Sequence, residues 1–141
     1  MSDIFERILE YSQKGYSCSQ VMLLIALESE GKENQELVRA VAGLRRGLGG
    51  SGEVCGVLSG GMCFLSYFGG RGSDDEVENE NLKIMFKELY DWFVEYTAEY
   101  DGINCKQIIA DDSRNYVQRC PILIRDTLEQ CILILQKYDL I

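Results

Sequence analysis

The sequence predicts an all-α protein, one domain over residues 1–141 folded as a bundle of about six to seven helices. Three observations predict it. Apolar residues recur at spacings of three and four almost throughout, which is the pattern of helices with one buried face. No segment shows the apolar–polar alternation of a half-buried strand. The chain has a single proline, so little interrupts long helices.

The elements follow in order. Ile4, Ile8 and Tyr11 mark a first helix that ends at Lys14-Gly15. Val21, Met22, Ile25 and Ala26 mark a second, ending near Gly31. Leu37, Val41 and Leu44 mark a short third. The stretch Gly43–Gly52 holds five glycines and reads as a loop, because glycine is costly inside a helix and lets backbone approach a neighbour closely. A fourth helix runs from about Glu53 to Phe68, and Gly69-Gly70-Arg71-Gly72-Ser73 breaks it. Asp74, Asp75 and Glu76 suit the positive N-terminal end of a fifth helix. Its stripe of Leu82, Met85, Phe86, Leu89, Phe93, Tyr96 and Tyr100, with Trp92 nearby, is core or the face of a homodimer. A short sixth helix begins at Asn104. The last starts at Cys120-Pro121 and reaches about Tyr138, with Ile124, Leu128, Cys131 and Leu135 on one face.

Composition narrows the chemistry. The net charge is −9 and there is no histidine. An acidic surface repels phosphate backbones and anionic lipid, so neither nucleic acid nor membrane is expected as a partner. Without histidine there is no imidazole for acid–base work or for binding metal or haem. The segment Met1–Arg7 lacks the basic start and apolar run of a signal peptide. The most apolar stretch, Val54–Gly70, is short for a membrane span and carries five glycines. These features predict a cytoplasmic protein. Cysteines stay reduced there, so six of them argue for metal, catalysis or burial rather than a disulfide framework.

The cysteines are the sharpest feature. Gly15-Tyr16-Ser17-Cys18-Ser19-Gln20-Val21 parallels Gly102-Ile103-Asn104-Cys105-Lys106-Gln107-Ile108. In each, a glycine ends one helix and Ser17 or Asn104 caps the next. Gln20 or Gln107 falls where its side chain reaches back to the cap. Tyr16 and Ile103 fall where a hydrophobic staple onto Val21 and Ile108 belongs. Cys18 and Cys105 then occupy the first helical position. Pro121 makes Cys120 the expected N-cap of the last helix. Cys55 lies about three residues into the fourth helix. Four cysteines thus sit in first helical turns, where unpaired N–H groups and a partial positive charge favour thiolate. Cys18, Cys55, Cys105 and Cys120 are the expected catalytic or metal-ligating site. Cys63 and Cys131 read as small core residues. No C-x-x-C occurs, so neither a thioredoxin-like pair nor a zinc ribbon is indicated.

On these residues the chain resembles the redox-active protein family named for its C_GCAxxG_C_C cysteine pattern, which is related to a domain of split-Soret cytochromes. The carriers are Gly15–Gln20, then Gly52–Gly60 around Cys55, then Cys105 and Cys120. Gly56 stands where the family name has Ala, and Val54 where it has Gly. The resemblance implies a helical fold and a cysteine-based redox or iron–sulfur role. It does not name a reaction, and no C-x-x-C-H haem attachment sequence is present.

Three chemistries fit the four thiols: thiol–disulfide exchange, an iron–sulfur cluster, or a structural zinc site. A redox partner protein or small molecule is implied and not identified. The reading from another class is a helical scaffold with incidental buried cysteines. Glu53 reads as a dipole-matched surface acid before it reads as a proton acceptor. Arg45 and Arg46 read as surface ion pairs before they read as partners of a thiolate or anion. Gly56 and Gly60 are expected to let a neighbouring helix approach closely.

Overall fold

A computed structural model describes residues 2–141; Met1, at the head of the stretch read for a signal peptide, lies outside it. Its helices are α1 (Ser2–Gln13), α2 (Cys18–Ser29), α3 (Gln35–Ala40), α4 (Gly56–Gly69), α5 (Leu82–Tyr96), α6 (Cys105–Ile109), α7 (Asn115–Gln118) and α8 (Cys120–Lys137). Short 3-10 turns extend α3 over Val41–Leu44 and follow α5 over Ala98–Tyr100. The all-α bundle is as predicted. No named strand occurs among the described residues, and none of their helices is long and apolar enough to cross a membrane.

The core is built on α2 and α4. Along α2, Val21, Met22, Leu23, Ile25, Ala26 and Leu27 are all buried. This helix packs most extensively on α4, and α4 also contacts α5 and α8. Glycine makes both approaches possible. A Cβ at Gly60 would come within 2.9 Å of Met22 Cγ and 3.1 Å of Ser19 Cα. A Cβ at Gly61, on the other side, would meet Leu89 Cδ2 at 3.0 Å and Thr127 Cγ2 at 3.3 Å. Each glycine lowers helix propensity by about 1 kcal/mol relative to Ala, and close packing of apolar neighbours offsets that cost. Buried Ser19 is satisfied by donating to the Val41 carbonyl at 2.9 Å. Cys131 is fully buried in α8, as expected for a core residue, and half-buried Cys63 packs on the core's edge.

Besides the start of α4 at Gly56 rather than about Glu53, two differences from expectation stand out. The fifth helix starts at Leu82, not near Asp74. Arg71 folds Asp74 into a turn by donating to the Ser73 and Asp74 carbonyls, and the Glu76 carboxylate accepts from Gly72 N–H. Val77 is 91% exposed, so residues 74–81 have no apolar stripe to anchor a helix. The stripe begins with Leu82 and continues through Met85, Leu89 and Phe93, all buried. The other difference is α7, four residues too short to leave a periodic signal.

The glycine loop doubles back on itself. Gly47 has φ +73, and a Cβ there would lie 2.2 Å from Glu53 N. Gly47 O accepts from that same N–H at 3.1 Å, closing the loop. Its exit pairs with the start of α6 in one antiparallel bridge, Val54 to Asn104.

Candidate functional site

The two matched segments fold alike. Ser17 and Asn104 precede their helices in extended conformation. Gln20 Oε1 accepts from Ser17 N–H at 3.0 Å, and Gln107 Oε1 accepts from Asn104 N–H at 3.1 Å. Each glutamine also donates to a second segment, Gln20 to the Val38 carbonyl and Gln107 to the Asp101 carbonyl. Cys18 and Cys105 therefore open α2 and α6 as predicted. Tyr16 lies edge-on to Tyr11, with ring centroids 5.9 Å apart.

Cys55 and Cys120 are each shifted by local structure. Cys55 caps α4 rather than lying inside it, because its N–H is drawn outward to Ile103 O at 3.0 Å. In return Cys105 N–H donates to Glu53 O at 2.7 Å, so one short bridge anchors the segments that carry Cys55 and Cys105. Cys120 is the first residue of α8 and Arg119 is its cap. The preceding α7 delivers the chain in near-helical conformation, which starts α8 a residue earlier than Pro121 alone implied.

All four cysteines line one cleft of about 670 Å³. Gly56 holds Cys18 against Cys55: a Cβ on Gly56 would lie 2.6 Å from Cys18 Sγ and 3.0 Å from Leu44 O. Gly56 and Gly60 thus admit α2, as expected. Cys63 and Cys131 do not line the cleft.

Protonation departs from expectation. Helix starts were expected to favour thiolate; burial outweighs them at all four positions. Burial pushes Cys18 up, with Cys105 adding to it, against N–H groups of Arg46, Ser19 and Cys18 itself. Burial and then Cys18 push Cys55 up strongly, against the N–H groups of Val57 and Leu58. Burial, Cys18 and Cys105 push Cys120 up to about 12. Burial also raises Cys105, opposed by a hydrogen bond with the Tyr116 side chain and by the Arg46 charge. Desolvation of a thiolate and repulsion between neighbouring thiolates exceed the pull of a few N–H dipoles. At Cys63 and Cys131 burial acts alone, with no opposing group.

Sequence reasoning missed Tyr116 and ranked Arg46 as a thiolate partner only behind a surface ion pair. Tyr116, on α7, lines the cleft, its side chain favours the Cys105 thiolate, and its ring lies under the Arg46 guanidinium at 4.1 Å. Arg46 acts on Cys105, Cys120 and Tyr116 and supplies its N–H to Cys18, so it belongs to the site and not to a surface ion pair. Glu53 faces away from the cleft and pairs with Lys106 at 3.5 Å, in keeping with its reading as a surface acid. Among the described residues no group of three Cys, Asp or Glu side chains is arranged to hold one metal ion. The thiols as placed do not form the ligand shell of an iron–sulfur or zinc centre.

No curated protein and no solved structure matches the chain. A family model described as "Putative redox-active protein (C_GCAxxG_C_C)" matches residues 16–134, a span containing the whole cleft cysteine set. The chain belongs to that C_GCAxxG_C_C family.

Proposed function

We propose that the protein transfers electron pairs by thiol–disulfide exchange at Cys18, Cys55, Cys105 and Cys120. The observation that carries this reading is that four thiols from four helices share one cleft and oppose one another's ionisation. Two thiols that share a cleft can be oxidised together by one substrate disulfide, and the disulfide formed has no ionisable group left to desolvate.

Cys105 is the attacking thiol, since a tyrosine hydrogen bond and an arginine charge both favour its ionised form. Cys18, whose ionisation Cys105 opposes, resolves the intermediate. The Cys105 thiolate attacks one sulfur of a substrate disulfide and expels the other as a thiol. The Cys18 sulfur then attacks Cys105 Sγ and expels the second substrate thiol. Two protein thiols become one disulfide, and two electrons and two protons pass to the substrate. The reverse sequence recovers the thiols from a substrate dithiol. Cys18 and, after it, Cys120 oppose ionisation of Cys55; with Cys18 assigned to Cys105, Cys55 and Cys120 remain as the second pair.

The test is oxidation of the full chain by a small disulfide, followed by peptide mapping. Intramolecular disulfides confined to the four cleft cysteines, with Cys63 and Cys131 still free, are expected. Absence of any such bond, with thiols reacting no faster than in unfolded chain, would return the protein to a scaffold role. Stoichiometric iron or zinc, lost when these four residues become serine, would replace exchange with metal ligation.

A further inference from the structure

The cleft wall carries the opposite charge to the rest of the protein. The chain has 23 acidic against 14 basic residues, yet the residues lining the cleft include Arg45 and Arg46 and not one Asp or Glu. Neither arginine makes an ion pair among the described residues. Arg45 uses one donor, Nε, on the Ala42 carbonyl at 3.0 Å. Arg46 stacks its guanidinium 4.1 Å from the Tyr116 ring centre. Tyr116, Arg46 and Cys105 line the same cleft, so the cation is held on the wall that carries the thiol.

The backbone points the same way. Arg46 has φ +48, a left-handed conformation that favours glycine, in a loop otherwise rich in it. Leu48 shares that conformation in the same loop, but of the two only Arg46 lines the cleft. The cleft volume of about 670 Å³ is that of a small-molecule site. Apolar Leu9, Pro121 and Ile124 complete its wall.

We propose that the cleft takes a small carboxylate-bearing disulfide, whose carboxylate pairs with Arg46 and Arg45 while its sulfur faces Cys105. The planar guanidinium fork matches a carboxylate through two parallel hydrogen bonds, and an isolated basic patch on an acidic protein selects such an anion locally. This rests on the exchange reading. The chemistry is the same exchange: the substrate S–S bond breaks, one protein S–S bond forms, and two substrate thiols leave with the electrons and protons.

The experiment uses the reduced full chain and two chromogenic probes. Dithiobis(nitrobenzoate) carries a carboxylate on each ring; dithiodipyridine is its uncharged counterpart. The readout is the ratio of their reaction rates, which cancels any change in thiol ionisation. Arg46→Gln should lower the ratio about ten-fold, the weight of one charge-assisted hydrogen-bonded pair, and Arg45→Gln less. Arg46→Lys should recover part of the loss. Arg46→Gly, which suits the left-handed backbone, should act like Arg46→Gln and guards against misfolding. Added salt should lower the wild-type ratio. A ratio unchanged by all three Arg46 substitutions and by salt would overturn the substrate proposal alone. If Cys105→Ser leaves both probe rates unchanged, the exchange reading itself falls.

Discussion

Cys18 and Cys105 begin their helices through the same seven-residue design, yet they meet different surroundings. Cys18 opens α2, a twelve-residue helix buried along most of its length, and N–H groups are its main source of relief from burial. Cys105 opens α6, five residues long, and is relieved by a tyrosine hydroxyl and an arginine charge brought from elsewhere in the chain. The local design decides where a thiol stands. Distant segments decide how readily it ionises. A helix start alone is therefore not sufficient for a reactive thiol here.

The largest test of that lesson is the pH dependence of stability in the reduced protein. Cys120 is raised from the ordinary value of 9.0 to about 12, and Cys18, Cys55 and Cys105 are raised as well. A thiol raised by folding holds its proton in the native state after the unfolded chain has released it. Its contribution is fully present below the ordinary thiol value and is lost as pH climbs toward the folded value. Between about pH 9 and 12, stability should fall by about 1.4 kcal/mol per pH unit for each proton so held. Urea midpoints across that range measure it. Oxidising two cleft cysteines to a disulfide should flatten the slope. An equal slope in both forms would mean that other groups, not the cleft thiols, carry it.

Gly56→Ala should break the Cys18 half while sparing the Cys105 half. The new Cβ would strike Cys18 Sγ at 2.6 Å and the backbone oxygen of Leu44 at 3.0 Å, and the latter cannot rotate away. The expected cost is about 1–3 kcal/mol, read from the urea midpoint. Cys18 should also become easier to alkylate as its sulfur is pushed outward, with Cys105 unchanged. Stability within error of wild type would show that the loop carrying Leu44 yields freely.

How much of this was legible follows the same division. The bundle, α2, the start of α6 and the four-cysteine set are written locally, in periodicity and in cap residues such as Ser17, Gln20, Asn104 and Gln107. Cys55 was misjudged because the helix start depends on a bridge to residues fifty positions away. The acidic run at Asp74 suited a helix start or a turn equally, and the missing apolar stripe before Leu82 decided for the turn. Tyr116 left no signal, because four-residue α7 exists only where α6 and α8 hold it. Arg46 reads as a surface charge until the loop folds it over that ring.

The paired glutamines give a smaller and sharper contrast. Gln20→Ala and Gln107→Ala each remove a cap hydrogen bond and a tie to a second segment. About 1 kcal/mol is expected for each. Since α2 is woven through the core, Gln20→Ala should lower the global melting temperature. In five-residue α6 the same loss should appear as faster amide exchange at residues 105–109, with a smaller melting change. Identical effects at the two positions would deny that helix context distinguishes the copies.

The smallest expected change is the most selective. Tyr116→Phe keeps the ring beneath Arg46 and removes only the hydroxyl that favours the Cys105 thiolate. Cys105 should then titrate at higher pH, because its ionised form loses a donor while burial remains. Cys18 lies outside that contact and should not move upward with it, since Arg46 N–H and the start of α2 are untouched and the Cys105 charge that opposes it forms later. Stability should change by less than about 1 kcal/mol, as one partly compensated hydrogen bond is lost. Alkylation rates at each cysteine, followed by mass spectrometry across pH, separate the two thiols. A parallel upward shift at both would mean that Tyr116 acts on the whole cleft. No shift at either would mean that the hydroxyl does not reach the sulfur in solution, and Arg46 alone would then distinguish Cys105 from its counterpart.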